Sequence, residues 1–397
     1  MSVEVGGHVE PGFEGVLDAF ANNFEEYDEI GATYAFYLEG TQVVDLWGGV
    51  RADTGAPYDG DTLQVVFSAT KGASAACAHL LAQRGELDID APVVTYWPEF
   101  GQSGKEHIPV RWLLSHQAGL ATFDAVLSHE EALAWEPVIH ALEAQPPLWD
   151  PGTAHGYHAI TFGYLVGELV RRIDGRTIGT FFHEEFAEPL NLEFWIGLPD
   201  EYESRVAPIV PLDMGDADGF SMADLIGADA LILRAMNQNG SLNDDITALA
   251  NERDFHAAEI PAANGITNAR SLARFYAGLI GAVDDGPSRG LLDPEQIEIA
   301  RTLQTSGSDL VLSIAGFDVE STIGLGFCTT SPYAPMGGQH AFGHYGAGGA
   351  VGFADPEHRV AGGYAMSKMV LPIPVDPRSS ALIRASYDAI GAATTHV

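Results

Sequence analysis

The stretch Val65-Val66-Phe67-Ser68-Ala69-Thr70-Lys71-Gly72 carries the first pair of residues whose spacing suits chemistry. On a helix, positions three apart share a face, so the Lys71 amine can reach the Ser68 hydroxyl. A serine is a weak nucleophile until a base takes its proton, and a lysine becomes such a base once burial or a neighbouring cation lowers its pKa. A serine in a helix's first turn also lies among backbone N–H groups that lack partners within the helix and can face a reacting carbonyl oxygen. The context agrees: an apolar run delivers the serine, and Gly72, Ala73, Ser74, Ala75 and Ala76 let the following helix pack closely behind a site. No Gly-x-Ser-x-Gly occurs, which argues against the usual α/β-hydrolase turn. The two cysteines, Cys77 and Cys328, read as buried small hydrophobes, and neither a metal nor another cofactor is expected.

Elements on both sides must hold this pair in place. Phe13, Val16, Leu17, Phe20 and Phe24 recur at helical spacing, and ATYAFYL and QVVDLWG around Glu39-Gly40-Thr41 form a hairpin pattern. A helix is expected from about Ser68 to Arg84, stopped at Gly85, then turns, then a short helix in VRWLLSHQAGL closed at Gly119. The middle is helical in pattern (TFGYLVGELVRRIDG, FFHEEFAEPLNL, ARSLARFYAGLIGAV), and residues 200–265 read as long loop with short helices. From about 310 the texture changes to strand-like runs, LVLSIAGF, TIGLGF, AVGFAD and VAGGYAM, before a last helix from Pro377 to about Ala392. Strands at both ends around a helical middle predict a discontinuous α/β domain, residues 1–75 with 305–397, and an inserted, mainly helical domain, residues 76–304.

Composition narrows the partners. The chain has 397 residues, 46% hydrophobic, with Lys+Arg 19 against Asp+Glu 55, a formal charge of −36. Such a field repels phosphate backbones and anionic lipid, so neither nucleic acid nor membrane is an expected partner. The opening MSVEVGGHVEPGFEGVL lacks a basic segment, an apolar segment and a cleavage site, and no apolar run approaches the roughly eighteen residues a bilayer needs, so a cytoplasmic location is expected. Lysine is rare: Lys71, Lys105 and Lys368 are all there are, which makes the one beside Ser68 conspicuous.

The ordered blocks DLWGG, DTLQVVFSATKG, HQAGL, PPLWDPGTAHGYHAITFGYLVGELVRRIDGRTI and FGHYGAGGAVGFADPE resemble the serine β-lactamase-like superfamily, in particular class C β-lactamases and family VIII carboxylesterases, over residues 10 to 390. The resemblance implies an antiparallel sheet flanked by helices with an inserted helical domain, an α/β (α+β) arrangement. It also implies that Tyr157, in HGYHA, pairs with Lys71 as general base and proton carrier. A phenol near a lysine ammonium is expected to favour its phenolate form. His344-Tyr345-Gly346 lies where the lactamases carry Lys-Thr-Gly, and the resemblance makes the Ala347 N–H the second oxyanion donor beside that of Ser68. Two positions depart from the lactamase pattern: Ala159 stands where an asparagine holds the lactam amide, and His344 replaces the lysine that binds a substrate carboxylate. Both favour a small neutral ester as the substrate. Trp149, Phe123, Phe342 and Tyr345 are candidate pocket walls, whereas Trp47-Gly48-Gly49 reads as strand end and Asn264-Gly265 as a helix cap. The alternatives are an amidase, D-aminopeptidase, weak β-lactamase or acyltransferase, and a non-catalytic protein of the same fold. Oligomeric state and natural substrate stay open.

Overall fold

The computed structural model describes residues 3–392 apart from 212–226, 228–229, 282, 288, 315–316, 333 and 371–375. Its frame consists of β1 (Val5–Val9), α1 (Glu14–Glu26), β2 (Gly31–Leu38), β3 (Thr41–Gly49), α2 (Thr70–Gln83), α3 (Thr161–Asp174), α4 (Ala269–Ile280), β4 (Thr305–Ser308), β5 (Glu320–Ile323), β6 (Cys328–Thr329), β7 (Phe342–Tyr345), β8 (Val351–Asp355), β9 (Val360–Met366) and α5 (Pro377–Ala389). The nine strands form one sheet in the order β1-β3-β2-β9-β8-β7-β6-β5-β4, with antiparallel pairs throughout. The hairpin of β2 and β3 therefore sits beside β9, a strand more than 300 residues later in the chain.

Side chains alternate across a strand, and β2 shows what each face meets. Thr33 accepts a hydrogen bond from the Ala269 N–H at the start of α4, while Tyr34 bonds Ser386 of α5 on the opposite face. On the α4 face, glycines allow close approach: a Cβ on Gly363 would lie 2.7 Å from the Ala269 carbonyl oxygen, and one on Gly352 would lie 2.5 Å from the Tyr276 ring. Phe13, preceding α1, packs its ring on Phe36 across the other face. Helix α2 is buried from Thr70 to Leu81, which its run of small residues permits, and its Gly72 abuts the Tyr276 hydroxyl of α4. The expected boundary near residue 304 assigns α4 to the helical insert, but α4 covers the sheet.

Most elements lie where the patterns put them, but the helix in VRWLLSHQAGL ends at Leu114, short of Gly119, only the first two residues of TIGLGF lie in a strand, and other readings also differ. The described residues of LVLSIAGF, which leave out 315–316, make no strand: Asp309 accepts hydrogen bonds from the N–H groups of Val311 and Leu312, so the chain turns there, and Ile314 and Phe317 form an isolated bridge. The cap of α4 is Asn268, whose side chain accepts from the Ser271 N–H. Asn264 instead ties its own loop, donating to the carbonyls of Phe255 and Ala258. Cys77 is buried, but Cys328, on β6, is only half-buried, and both thiols are free. The loop expected over 200–265 lies partly outside the described residues. No helix among the described residues is long and apolar enough to cross a membrane.

Candidate active site

Ser68 sits in a single 3-10 turn, Phe67–Ala69, that runs directly into α2. Phe67 takes φ +46°, a left-handed conformation that costs a bulky residue about 1–3 kcal/mol and persists only where neighbours over-determine it. Here the Val66 N–H donates to the Gly265 carbonyl at 2.9 Å, the Thr70 hydroxyl donates to the Phe67 carbonyl at 2.5 Å, and the Gly265 N–H donates to the Thr70 hydroxyl at 2.8 Å. The kink turns Ser68 out of the buried strand that precedes it.

The expected spacing of Ser68 and Lys71 is realised: Lys71 Nζ lies 3.1 Å from Ser68 Oγ. The amine is fully buried and also donates to the carbonyls of Ala159 at 2.7 Å and Ala262 at 2.9 Å. No carboxylate among the described residues pairs with it, and burial holds its pKa well below the ordinary 10.5. A neutral amine has two N–H bonds and one lone pair. The two carbonyls can only accept, so they take both N–H groups, and the lone pair is left for the Ser68 hydroxyl proton. The arrangement is that of a base aimed at its nucleophile.

Tyr157 stands beside this pair, with Lys71 Nζ 4.7 Å from its ring centre and its hydroxyl close enough to Ser68 to affect its acidity. The phenolate expected from the lysine's charge is not what the surroundings favour. Burial raises the phenol's pKa, only partly opposed by Ser68, and burial likewise disfavours the charge on Lys71 that would have stabilised a phenolate. Tyr157 is a neutral hydroxyl, fit to relay a proton.

Two residues that the sequence reading passed over hold Tyr157 through its backbone. The Tyr157 N–H donates to Asp309 Oδ1 at 3.0 Å, the Gly156 N–H donates to the His116 carbonyl at 3.1 Å, and the His158 N–H donates to His116 Nδ1 at 3.0 Å. Three consecutive amides are thus fixed by His116, itself at φ +59°, and by buried Asp309, whose other oxygen accepts from Ser321. HQAGL signalled His116 as part of a motif without signalling this role. Nothing near residue 309 pointed to Tyr157.

The far wall is the end of β7. A Cβ on Gly346 would come within 2.1 Å of the Val66 carbonyl oxygen, so only glycine lets this strand abut the turn that carries Ser68. Ala347 follows in a turn to Gly349, with Gly348 at φ +82°. The Gly348 carbonyl accepts from the buried guanidinium of Arg378 at 2.6 Å, and that guanidinium also pairs with Glu29 at 2.5 Å and Asp376 at 2.7 Å. An ionic cluster beneath the sheet therefore anchors the turn that presents the Ala347 N–H.

His344 is buried with its ring centre 6.1 Å from that of Tyr157, and its Nδ1 lies 2.7 Å from the Tyr345 carbonyl. Burial and the nearby Lys71 lower its pKa to about 3, so it is neutral. Tyr345 donates its hydroxyl to the Pro335 carbonyl, and half-buried Trp149 packs edge-on against His158 and donates to the Ala154 carbonyl at 3.2 Å. Phe123 is fully buried, as is Phe342, which packs on Phe327 and Tyr276 in the core. Cys328 sits near enough to Lys71 to interact electrostatically, and burial pushes its thiol up to about 12. Among the described residues, one grouping of potential metal ligands occurs, Asp355, Glu357 and His358. There the Asp355 carboxylate accepts from the turn's own amides, from His358 and from Tyr387, as a turn-closing residue does.

A serine primed by a buried lysine on the next helical turn, with a tyrosine at its side and the end of an antiparallel strand opposite, defines a serine hydrolase of the β-lactamase fold. The chain belongs to the Beta-lactamase family, whose model matches residues 18–384. It is 35% identical over 389 residues to the Esterase/beta-lactamase LipL of Mycobacterium tuberculosis (strain ATCC 25618 / H37Rv), covering 92% of this chain and 84% of that protein. Among solved structures it resembles a family VIII carboxylesterase (36% identity, TM-score 0.84, 97% of this chain and 100% of that one). It also resembles a penicillin-binding protein homologue from Caulobacter crescentus (37%, TM-score 0.83, 97% and 100%).

Proposed function

We propose that this hydrolase is a carboxylesterase that cleaves small neutral carboxylic esters through an acyl-enzyme on Ser68. The observation that carries the reading is the pairing of Lys71 with two carbonyls, which leaves its lone pair for Ser68. Ser68 Oγ attacks the ester carbonyl while its proton passes to Lys71. The N–H groups of Ser68 and Ala347 receive the developing oxyanion, an interaction worth about 3–4 kcal/mol per donor in comparable sites. As the tetrahedral centre collapses, the proton moves by way of the Tyr157 hydroxyl to the departing alkoxide, leaving an acyl-serine. Water then attacks that ester while Lys71 takes its proton by way of the Tyr157 hydroxyl, and the same proton returns to Ser68 Oγ as the acid leaves.

Ala159 and His344 support an ester over a carboxylated lactam. The first offers only a backbone carbonyl, already bonded to Lys71, and the second is a neutral ring where a fixed cation would be needed. The family VIII carboxylesterase among the solved structures supports the same choice, whereas LipL is named for both esterase and β-lactamase activity. A fluorophosphonate should label the wild type and not Ser68→Ala, and p-nitrophenyl acetate and butyrate should be turned over far faster than a chromogenic cephalosporin. Absence of labelling and turnover in the wild type overturns the reading. A cephalosporin rate equal to the ester rates replaces it with a lactamase.

A further inference from the structure

Two imidazoles flank the Tyr157 ring, His116 at 5.1 Å and His344 at 6.1 Å between ring centres, and their tautomers are set in opposite senses. A carbonyl oxygen only accepts, so His344 Nδ1, 2.7 Å from the Tyr345 carbonyl, must carry the proton. Its Nε2 is then a bare lone pair, with no protein partner among the described residues. His116 is the reverse: its Nδ1 accepts the His158 N–H, so its other nitrogen bears hydrogen. Three buried imidazoles away from the reacting groups use both nitrogens, whereas His155 bonds only Ser321. His79 bonds the Leu325 carbonyl and Gln296, His158 the Leu120 N–H and the Gly156 carbonyl, and His256 Glu203 and the Ala250 carbonyl. His344 is 4% exposed, lies on the strand that ends at the oxyanion turn, and keeps one acceptor unused beside the reacting groups.

We propose that His344 Nε2 is a substrate-reading acceptor, and that the preferred substrates are esters bearing a neutral hydroxyl close to the ester carbonyl. This rests on the esterase reading above. An acceptor left alone in a buried site costs about 1–3 kcal/mol, and water relieves that cost in the free enzyme. A substrate hydroxyl replaces the water and keeps its hydrogen bond. A plain alkyl chain displaces the water and restores nothing, and a carboxylate sets its lone pairs against that of Nε2. Burial disfavours charge on both Lys71 and Tyr157, so neighbouring charge works little against the preference.

The test compares kcat/KM within matched pairs: p-nitrophenyl butyrate with p-nitrophenyl 3-hydroxybutyrate for the acyl side, and propyl butyrate with 2,3-dihydroxypropyl butyrate for the alcohol side. p-Nitrophenyl hemiglutarate serves as the anionic arm. The wild type should favour the hydroxylated ester on one side by about three- to tenfold and should disfavour the hemiglutarate. In His344→Leu that ratio should fall to about one, whereas His344→Gln, which keeps an acceptor oxygen, should retain part of it. His344→Lys should shift preference toward the hemiglutarate. Turnover of the plain esters with a ratio near one on both sides overturns this inference and leaves the esterase reading intact. A hydroxyl preference that survives in His344→Leu also overturns it, and because the wild-type ratios need no variant, the test does not depend on each variant folding. Turnover of none of the esters overturns both readings.

Discussion

The Arg378 guanidinium, wholly buried, donates to the Gly348 carbonyl one residue beyond Ala347, tying the last helix to the turn that carries Ala347. The same group neutralises Glu29 and Asp376, and Glu29 also accepts from the Tyr364 hydroxyl. Removing one member of such a cluster leaves the other charges buried and unpaired, at about 3–5 kcal/mol. Arg378→Met should therefore lower the melting temperature strongly. The triple variant Arg378→Met, Glu29→Gln, Asp376→Asn should recover much of the stability but less of kcat, because the Gly348 carbonyl stays untethered. Thermal melts and steady-state kinetics on the same preparations check this, and full recovery of kcat in the triple variant would argue that the tether is structural only.

Lys71 carries opposite consequences for rate and stability. Burial lowers its pKa from 10.5, so between the two values the unfolded chain binds a proton that the folded chain does not, and stability rises with pH across that window. Lys71→Met should remove this slope and raise stability at neutral pH by about 0.5–2 kcal/mol, reduced by the two carbonyls it leaves unbonded. It should also cut acylation by a factor on the order of a thousand or more. In the wild type the acylation rate should fall as pH drops through the lowered Lys71 pKa. His344, at about 3, and His158, at about 4, titrate too low to shape the profile between pH 5 and 8. Chemical denaturation at several pH values, with single-turnover acylation, separates the two effects.

Asp309 acts at a distance from the chemistry, through the Tyr157 N–H. Asp309→Ala frees the amides of Tyr157, Val311 and Leu312, and a misplacement of Tyr157 by about 1 Å should reduce kcat roughly 10- to 100-fold with a smaller change in KM. Asp309→Asn keeps one acceptor oxygen and should restore part of kcat. Equal losses in the two variants would point to the carboxylate's charge instead of its hydrogen bonds.

The charge of −36 is self-repulsive in the folded state, and salt screens it. The melting temperature should climb as sodium chloride rises from about 10 mM to 1 M. A flat response would show that the acidic surface is already relieved by its own arginines, many of which are paired, as Arg176 is with Asp174, Glu184 and Glu185.

What could be read from the sequence was what is local. Ser68 and Lys71 sit one helical turn apart, so their chemistry was visible in four letters, and α1, the β2–β3 hairpin, α2 and α4 announced themselves by period. His116 and Asp309 were not legible because they act on Tyr157 through backbone amides, 41 and 152 positions away, and no spacing rule reaches that far. The state of Tyr157 was misread for a related reason. Proximity to a lysine is a sequence-level fact, but whether that lysine is charged depends on burial, which only the folded packing decides. LVLSIAGF looked like a strand until the side chain of Asp309 was seen to bond the amides a ladder would have used.

The adjacency of β2 and β9 has a further consequence, for the order in which the protein is made. Strand β2 is complete by Leu38, yet its neighbour in the sheet, β9, ends at Met366, and the turn between β7 and β8 that carries Ala347 is anchored by Arg378. On a ribosome adding about 5–20 residues per second, the β2–β3 hairpin must wait tens of seconds with one edge unpaired. During that wait Ser68 and Lys71 can already stand on their helix, but nothing holds Ala347 opposite them. Nascent chains should therefore be catalytically silent until nearly the last helix emerges, and should rely on chaperones to keep the waiting hairpin edge from pairing elsewhere.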